Sequence, residues 1–358
     1  MTSAPPPGGW QPPSAVPPPP PATHPAYGGP AYGGAPGPGA RPPVDAAGHR
    51  YHELLRLGRR PAWAWALLGV LAGGIGFFFV QLAAAVPTVV WWLVQGVPSG
   101  EFESRLSGDP ATPGFFLLIN LGWAFTIPLV MAVVWGIHGL RPRFAASVRP
   151  GIRWTWFAVS LGLAAVALVA TVLVGALVPA GETSDVGGAV NDFTSELRDF
   201  LIIMVLLTPL QAAGEEYLFR GYLTQLIGGV LPWERLRLVV AVVVPAVVFA
   251  LAHGVQEPPI FVDRLAFGLV AGVLVIATGG LEASIAMHVL NNLLAFSLAI
   301  LFGDMTEAFN PEGSTWWQLV PTLTQSFVFL GLCLFVGRRM GVAHRTAGDV
   351  LERSRGRV

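Results

Sequence analysis

Eight runs of apolar residues, near 62–95, 115–138, 154–178, 199–229, 238–256, 262–279, 283–302 and 316–337, dominate this chain. A helix needs about 20 predominantly apolar residues to cross a bilayer, and inside the bilayer its backbone must satisfy its own hydrogen bonds. Runs of this length predict an all-α, polytopic membrane bundle of about eight transmembrane helices. Composition agrees: 53% of the 358 residues are hydrophobic and 12% are charged, where a soluble domain carries about 25% charged residues. The first run exceeds a perpendicular crossing, and Gly73-Gly74 or Pro87 is where a kink is expected. Tryptophans gather near run ends (Trp63, Trp65, Trp91, Trp92, Trp154, Trp156, Trp316, Trp317), the depth that suits an amphipathic ring.

Arginines set the orientation. Arg41, Arg50, Arg56, Arg59 and Arg60 precede the first run, and Arg141, Arg143, Arg149 and Arg153 separate the second from the third. Arg235 and Arg237 separate the fourth from the fifth, and Arg338, Arg339, Arg345, Arg353, Arg355 and Arg357 follow the eighth. The alternate loops hold the acids Glu101, Glu103, Asp109, Glu182, Asp185, Asp192, Glu196, Asp304, Glu307 and Glu312. By the positive-inside rule both termini are expected in the cytoplasm of a multi-pass plasma-membrane protein. Net charge is zero, so bulk electrostatics give no argument for nucleic acid. The one cysteine, Cys333, excludes an intramolecular disulfide and thiolate metal sites.

Residues 1–45 are rich in Pro, Gly and Ala, with Ala-Tyr-Gly-Gly at 26–29 and 31–34. Such a segment buries too little apolar surface to offset its ordering entropy, so a disordered tail is expected. The remaining boundaries are an amphipathic segment with transmembrane helices one to three over 46–198, a membrane core over 199–302, a last transmembrane helix over 303–337 and a basic cytoplasmic tail over 338–358.

The polar groups inside the runs carry the functional argument. Glu215, Glu216 and Arg220 sit within the fourth run with Gln211 close by; His253 lies near the end of the fifth; His288 and Asn292 lie in the seventh. An ionised side chain at the bilayer centre costs roughly 2.5–3.5 kcal/mol even on lenient scales, so these groups must be paired, face a wet cavity, or both. Glu216 and Arg220 stand four apart with the acid first, the favourable order for a helical ion pair. Glu215, about 100° around the helix, is left as the freer carboxylate. His288 and Asn292 are also four apart and share a face. A carboxylate beside an imidazole can take a proton from water, and a second imidazole with an amide can donate to an oxyanion. The same Glu215, His253 and His288 are the residues that would hold a divalent metal such as zinc, if one is used. No His-Glu-x-x-His pattern is present; His52-Glu53-Leu-Leu-Arg56 lacks the second histidine. Run boundaries put His253 near the outer end of its helix and His288 near the inner end of its own, an expected depth difference of roughly ten ångströms at about 1.5 Å per residue.

Three segments together resemble the CPBP family, the CaaX protease and bacteriocin-processing (Abi) intramembrane proteases. They are Glu215-Glu216-Tyr-Leu-Phe-Arg220, Phe249-Ala-Leu-Ala-His253 and His288-Val-Leu-Asn-Asn292, in the family's order, within 199–302. The resemblance implies an intramembrane endopeptidase of metallo- or glutamate type, acting on a membrane-associated peptide or protein in the bilayer. It implies that Glu215 and His253 activate water, that His288 and Asn292 stabilise the oxyanion, and that Glu216 and Arg220 shape the site. Two other readings of the residues are a membrane scaffold or immunity protein, with the polar cluster as structural glue, and an ion- or proton-coupled transporter using Glu215 and the histidines as a relay.

Overall fold

The structure is a computed structural model, described over residues 1–2, 48–59, 63–179, 189–311 and 313–347. The tail expected over 1–45 lies, apart from its first two residues, outside the described residues, as does the basic tail beyond residue 347. Every helix among the described residues belongs to the compact unit Asp45–Val358.

Eight long helices build that unit: α1 (Trp63–Val94), α2 (Pro113–Gly136), α3 (Trp154–Gly175), α4 (Ser195–Val230), α5 (Glu234–Leu251), α6 (Pro258–Thr278), α7 (Glu282–Phe302) and α8 (Trp316–Arg339). Among the described residues there is no strand, only isolated bridges pairing Arg50 with Arg345 and Ser147 with Gly280. The all-α membrane bundle read from the apolar runs is the architecture found. Seven of the helices are long and apolar enough to cross a membrane. The fifth run is α5, whose 18 residues open with the charges Glu234, Arg235 and Arg237.

Local chemistry sets the helix ends. Thr112 accepts from the Phe115 N–H at 3.3 Å, with Pro113 in the first position of α2. Thr194 accepts from the Leu197 N–H at 3.1 Å to open α4. Each hydroxyl satisfies a donor the helix cannot satisfy itself. Gly254, with φ +81°, stops the chain from continuing α5 beyond Leu251. The helix is therefore shorter than the run expected to reach residue 256, and His253 sits in the turn that follows it.

The outer surface is apolar. Leu67, Leu71, Ile75, Phe78, Phe79, Leu82, Val86, Val90 and Leu93 of α1 are all exposed, a surface far larger than the apolar patches water tolerates and the one a helix shows to lipid. Exposed Trp63, Trp154 and Trp316 mark helix ends, as expected for interfacial rings.

Inside, small residues let backbones approach. At Gly214 a Cβ would overlap the Trp123 carbonyl oxygen, so α4 crosses α2 in backbone contact one residue before Glu215. At Gly268 a Cβ would lie 3.0 Å from Ala246 and 3.2 Å from Arg220 Nη2, which brings α6 against α5 and the buried guanidinium.

Polar clamps hold the end of the bundle where the arginines gather. The 3₁₀ helix Tyr51–Leu57 buries Tyr51, His52, Leu54 and Leu55. Its Glu53 pairs with Arg237 at 2.6 Å. Its Arg56 donates to the Gly229 and Leu231 carbonyls at 3.2 and 2.8 Å, satisfying acceptors at the C-terminal end of α4. Glu282, fully buried, is held bidentately by Arg153 at 2.8 and 2.7 Å, and the same guanidinium donates to the Ala343 carbonyl. Glu282, at a run boundary in the sequence, is a strut between the starts of α3 and α7.

Candidate active site

α4 supplies half of the polar cluster. Its winding changes just after the two glutamates: Ser195–Glu216 is α-helical, Tyr217–Leu223 is a π-helix, and Thr224–Val230 is α-helical again. Such π segments recur at functional sites because the wider turn re-aims side chains. Across this junction Arg220 Nη1 donates to Glu216 Oε1 at 2.8 Å, and both residues are fully buried. This is the pair the four-residue spacing anticipated. The guanidinium is also enclosed by three rings, its carbon lying 4.1 Å from the Phe249 centroid, 5.9 Å from Phe267 and 6.0 Å from Phe219. Aromatic faces stabilise a desolvated cation that hydrogen bonds alone leave incompletely satisfied.

α7 supplies the other half. His288 Nδ1 lies 2.9 Å from Glu216 Oε1. An ionised carboxylate oxygen only accepts, so Nδ1 is the donor in this bond and Nε2 is turned away from it. That Nε2 lies 3.8 Å from Glu215 Oε2. Glu215 takes no bond from Arg220. Its Oε1 accepts from Gln211 on the preceding turn, and its buried Oε2 has no hydrogen-bond partner among the described residues. Asn292, one turn beyond His288, donates to the Gln211 side-chain oxygen at 3.1 Å.

The two helices run antiparallel here. Gln211 faces Asn292 and Glu215 faces His288, so two pairs spaced four apart oppose each other across the interface. This brings Glu215, Glu216, Arg220, His288 and half-buried Asn292 into one cluster, with Gln211 completing it. In the sequence Gln211 is only a neighbour of the motif, with no role assigned to it. Its signal is its place: the polar residue four positions before Glu215 in an apolar helix.

His253 joins from the α5–α6 turn. Its Nδ1 donates to the Phe249 carbonyl at 2.8 Å, which leaves Nε2 as an acceptor. The Phe249 ring lies 4.8 Å from the His253 ring and 5.9 Å from that of His288, centroid to centroid, edge-on to both. The depth difference expected from run boundaries is thus spanned by one aromatic side chain. His253 is exposed, whereas His288 and Glu215 are buried, so His253 stands at the rim of the cluster and His288 within it. The conditional metal set Glu215, His253 and His288 is not assembled as ligands: among the described residues no three His, Cys, Asp or Glu are grouped so as to hold a metal ion.

Residues 197–294 match the family described as Rce1-like, type II CAAX prenyl endopeptidase. That match runs from near the start of α4 into α7 and includes every residue of the cluster. The uncharacterized protein YyaK of Bacillus subtilis (strain 168) is 25% identical over 281 residues, covering 75% of this chain and 87% of that protein. No solved structure matches the chain.

Proposed function

We propose that this protein is an intramembrane endopeptidase that hydrolyses a peptide bond of a membrane-associated substrate, with Glu215 as the general base. The observation that carries this reading is the free Oε2 of a buried glutamate, facing the Nε2 of His288 at 3.8 Å. An unsatisfied buried carboxylate oxygen is costly, and such atoms are retained where they work.

Oε2 accepts a proton from water as the oxygen attacks the scissile carbonyl, with the acceptor Nε2 of His253 steering that water from the rim. The carbonyl oxygen becomes an oxyanion, which receives hydrogen bonds from the second N–H of Asn292 and from His288 Nε2 in its protonated form. Collapse breaks the C–N bond, and the proton held by Glu215 passes to the leaving amine. Glu216 fixes His288 through Nδ1, and Arg220 balances the charge of Glu216. The arginine distribution supports cytoplasmic termini, with α5 as an eighth crossing.

The test uses purified protein in detergent with a prenylated Cys-a-a-X peptide and a pooled library of membrane-protein peptides, with new termini read by mass spectrometry. Cleavage that is lost in Glu215→Gln at an unchanged thermal midpoint is the expected result. Equal cleavage by Glu215→Gln, or no Glu215-dependent product from either source, overturns the reading.

A further inference from the structure

Gln211 makes two contacts at opposite ends of one amide. Its Nε2 donates to Glu215 Oε1, and its Oε1 accepts from Asn292 Nδ2 at 3.1 Å. With Glu215 ionised, as its role as base requires, the carboxylate can only accept, so the Gln211 nitrogen faces it and the Gln211 oxygen takes the Asn292 N–H. Gln211 is itself buried, 5% exposed, and Glu215 lies one helical turn away on the same face. The amide therefore occupies one oxygen of Glu215 and leaves the other, Oε2, facing His288. It also takes one N–H of Asn292 and leaves the second for another acceptor.

We propose that Gln211 is a positioning residue of the hydrolytic site, selecting which oxygen of Glu215 acts as base and holding Asn292, across the α4–α7 interface, at a fixed distance from it. The proposal rests on the reading of Glu215 as general base. Base and oxyanion donor come from different helices, and a shift of an ångström between them is enough to lower the rate strongly. Gln211 is the side chain that bonds to both. Its hydrogen bond to an ionised group is of the stronger kind, and losing it is expected to lower kcat by about 10- to 100-fold.

Two variants separate positioning from simple interhelical adhesion. Gln211→Met keeps the length and volume and removes both contacts. Gln211→Glu keeps the acceptor for Asn292 and donates to Glu215 only while its own carboxyl is protonated. The charges acting on that neighbourhood are Glu216 and Arg220 of α4, His288 of α7 and Arg264 of α6. The expected results are a fall in kcat for Gln211→Met with KM within about threefold of the parent, and for Gln211→Glu an activity relative to the parent that recovers as pH is lowered.

A second readout needs no substrate. The infrared carboxylate band of Glu215, identified by its loss in Glu215→Gln, is expected to shift in Gln211→Met because one oxygen loses its donor. A parent-like kcat in Gln211→Met, a Gln211→Glu pH profile parallel to the parent, or an unshifted Glu215 band overturns the positioning role. Those outcomes are distinct from failure of the protease reading, in which Glu215→Gln itself still cleaves.

Discussion

His288 bonds to Glu216 through Nδ1 at 2.9 Å and faces Glu215 through Nε2 at 3.8 Å, so one imidazole stands between two adjacent carboxylates with a different nitrogen toward each. The two glutamates of the motif are thereby separated in role. Glu216 fixes the ring and balances Arg220, and Glu215 keeps an oxygen free. Neighbours in sequence become unlike in chemistry because a helical step of one residue turns a side chain by about 100°.

The ion pair supports the fold before it supports any reaction. In Arg220→Met, Glu216 is left as a buried carboxylate without its guanidinium partner, with His288 and Ser284 beside it. Breaking a buried pair from one side costs about 3–5 kcal/mol. Thermal unfolding in detergent should show a large loss for this variant, and Glu216→Gln in the same chain should recover part of it.

His253 is expected to behave in the opposite way. It is exposed in the turn after α5 and bonds only to the backbone one turn earlier. His253→Ala should unfold within a degree or two of the parent while peptide cleavage falls by about 10²–10⁴-fold. A parent-like cleavage rate would remove His253 from the reaction.

Gly214 has no space for a side chain, since a Cβ there would overlap the Trp123 carbonyl oxygen. Gly214→Ala must push α4 from α2 next to Glu215. Overpacking of this kind costs about 1–3 kcal/mol. Both the thermal midpoint and cleavage should fall together, whereas Gly74→Ala, where nothing lies within 4 Å, should leave both near the parent values.

Two histidines outside the membrane-spanning helices set an acid limit on stability. Burial pushes His52 down to about 4, with the charges of Arg237, Arg50 and Arg56 adding to the effect against the opposing charge of Glu53. Burial likewise pushes His138 down to about 4, helped by Arg59. Both are neutral when folded and protonate near pH 6.5 when unfolded. Between those values the unfolded chain binds more protons, so stability is full above about pH 6.5, falls as pH falls toward about 4, and then levels. The thermal midpoint in detergent should trace that curve, dropping on the order of 5 °C. His52→Gln with His138→Gln should flatten it.

Much of this was legible in the residues. The apolar runs located all eight long helices, and the four-residue spacings identified Glu216 with Arg220 as a pair, and His288 with Asn292 as a shared face, because helical geometry is local. The fifth run extends to residue 256, past the end of α5 at Leu251, because run boundaries do not register Gly254, the backbone signal that ends the helix. The π turn at Tyr217–Leu223 left no trace in the apolar pattern. Gln211 looked like an incidental polar neighbour because its second partner, Asn292, is 81 residues away.

The sequence alone determined that this chain is a helical membrane bundle with a polar cluster it must pair internally, since lipid offers no partner for a charge. The tertiary structure decided which polar groups meet. Only the antiparallel register of α4 on α7 sets Gln211 against Asn292 and Glu215 against His288, and only the Phe249 ring brings His253 to the rim of that pairing. The reason is one of range: spacing along one helix is set by its own backbone, whereas the register between helices is set by close packing at points such as Gly214 and Gly268, whose partners lie far away in sequence.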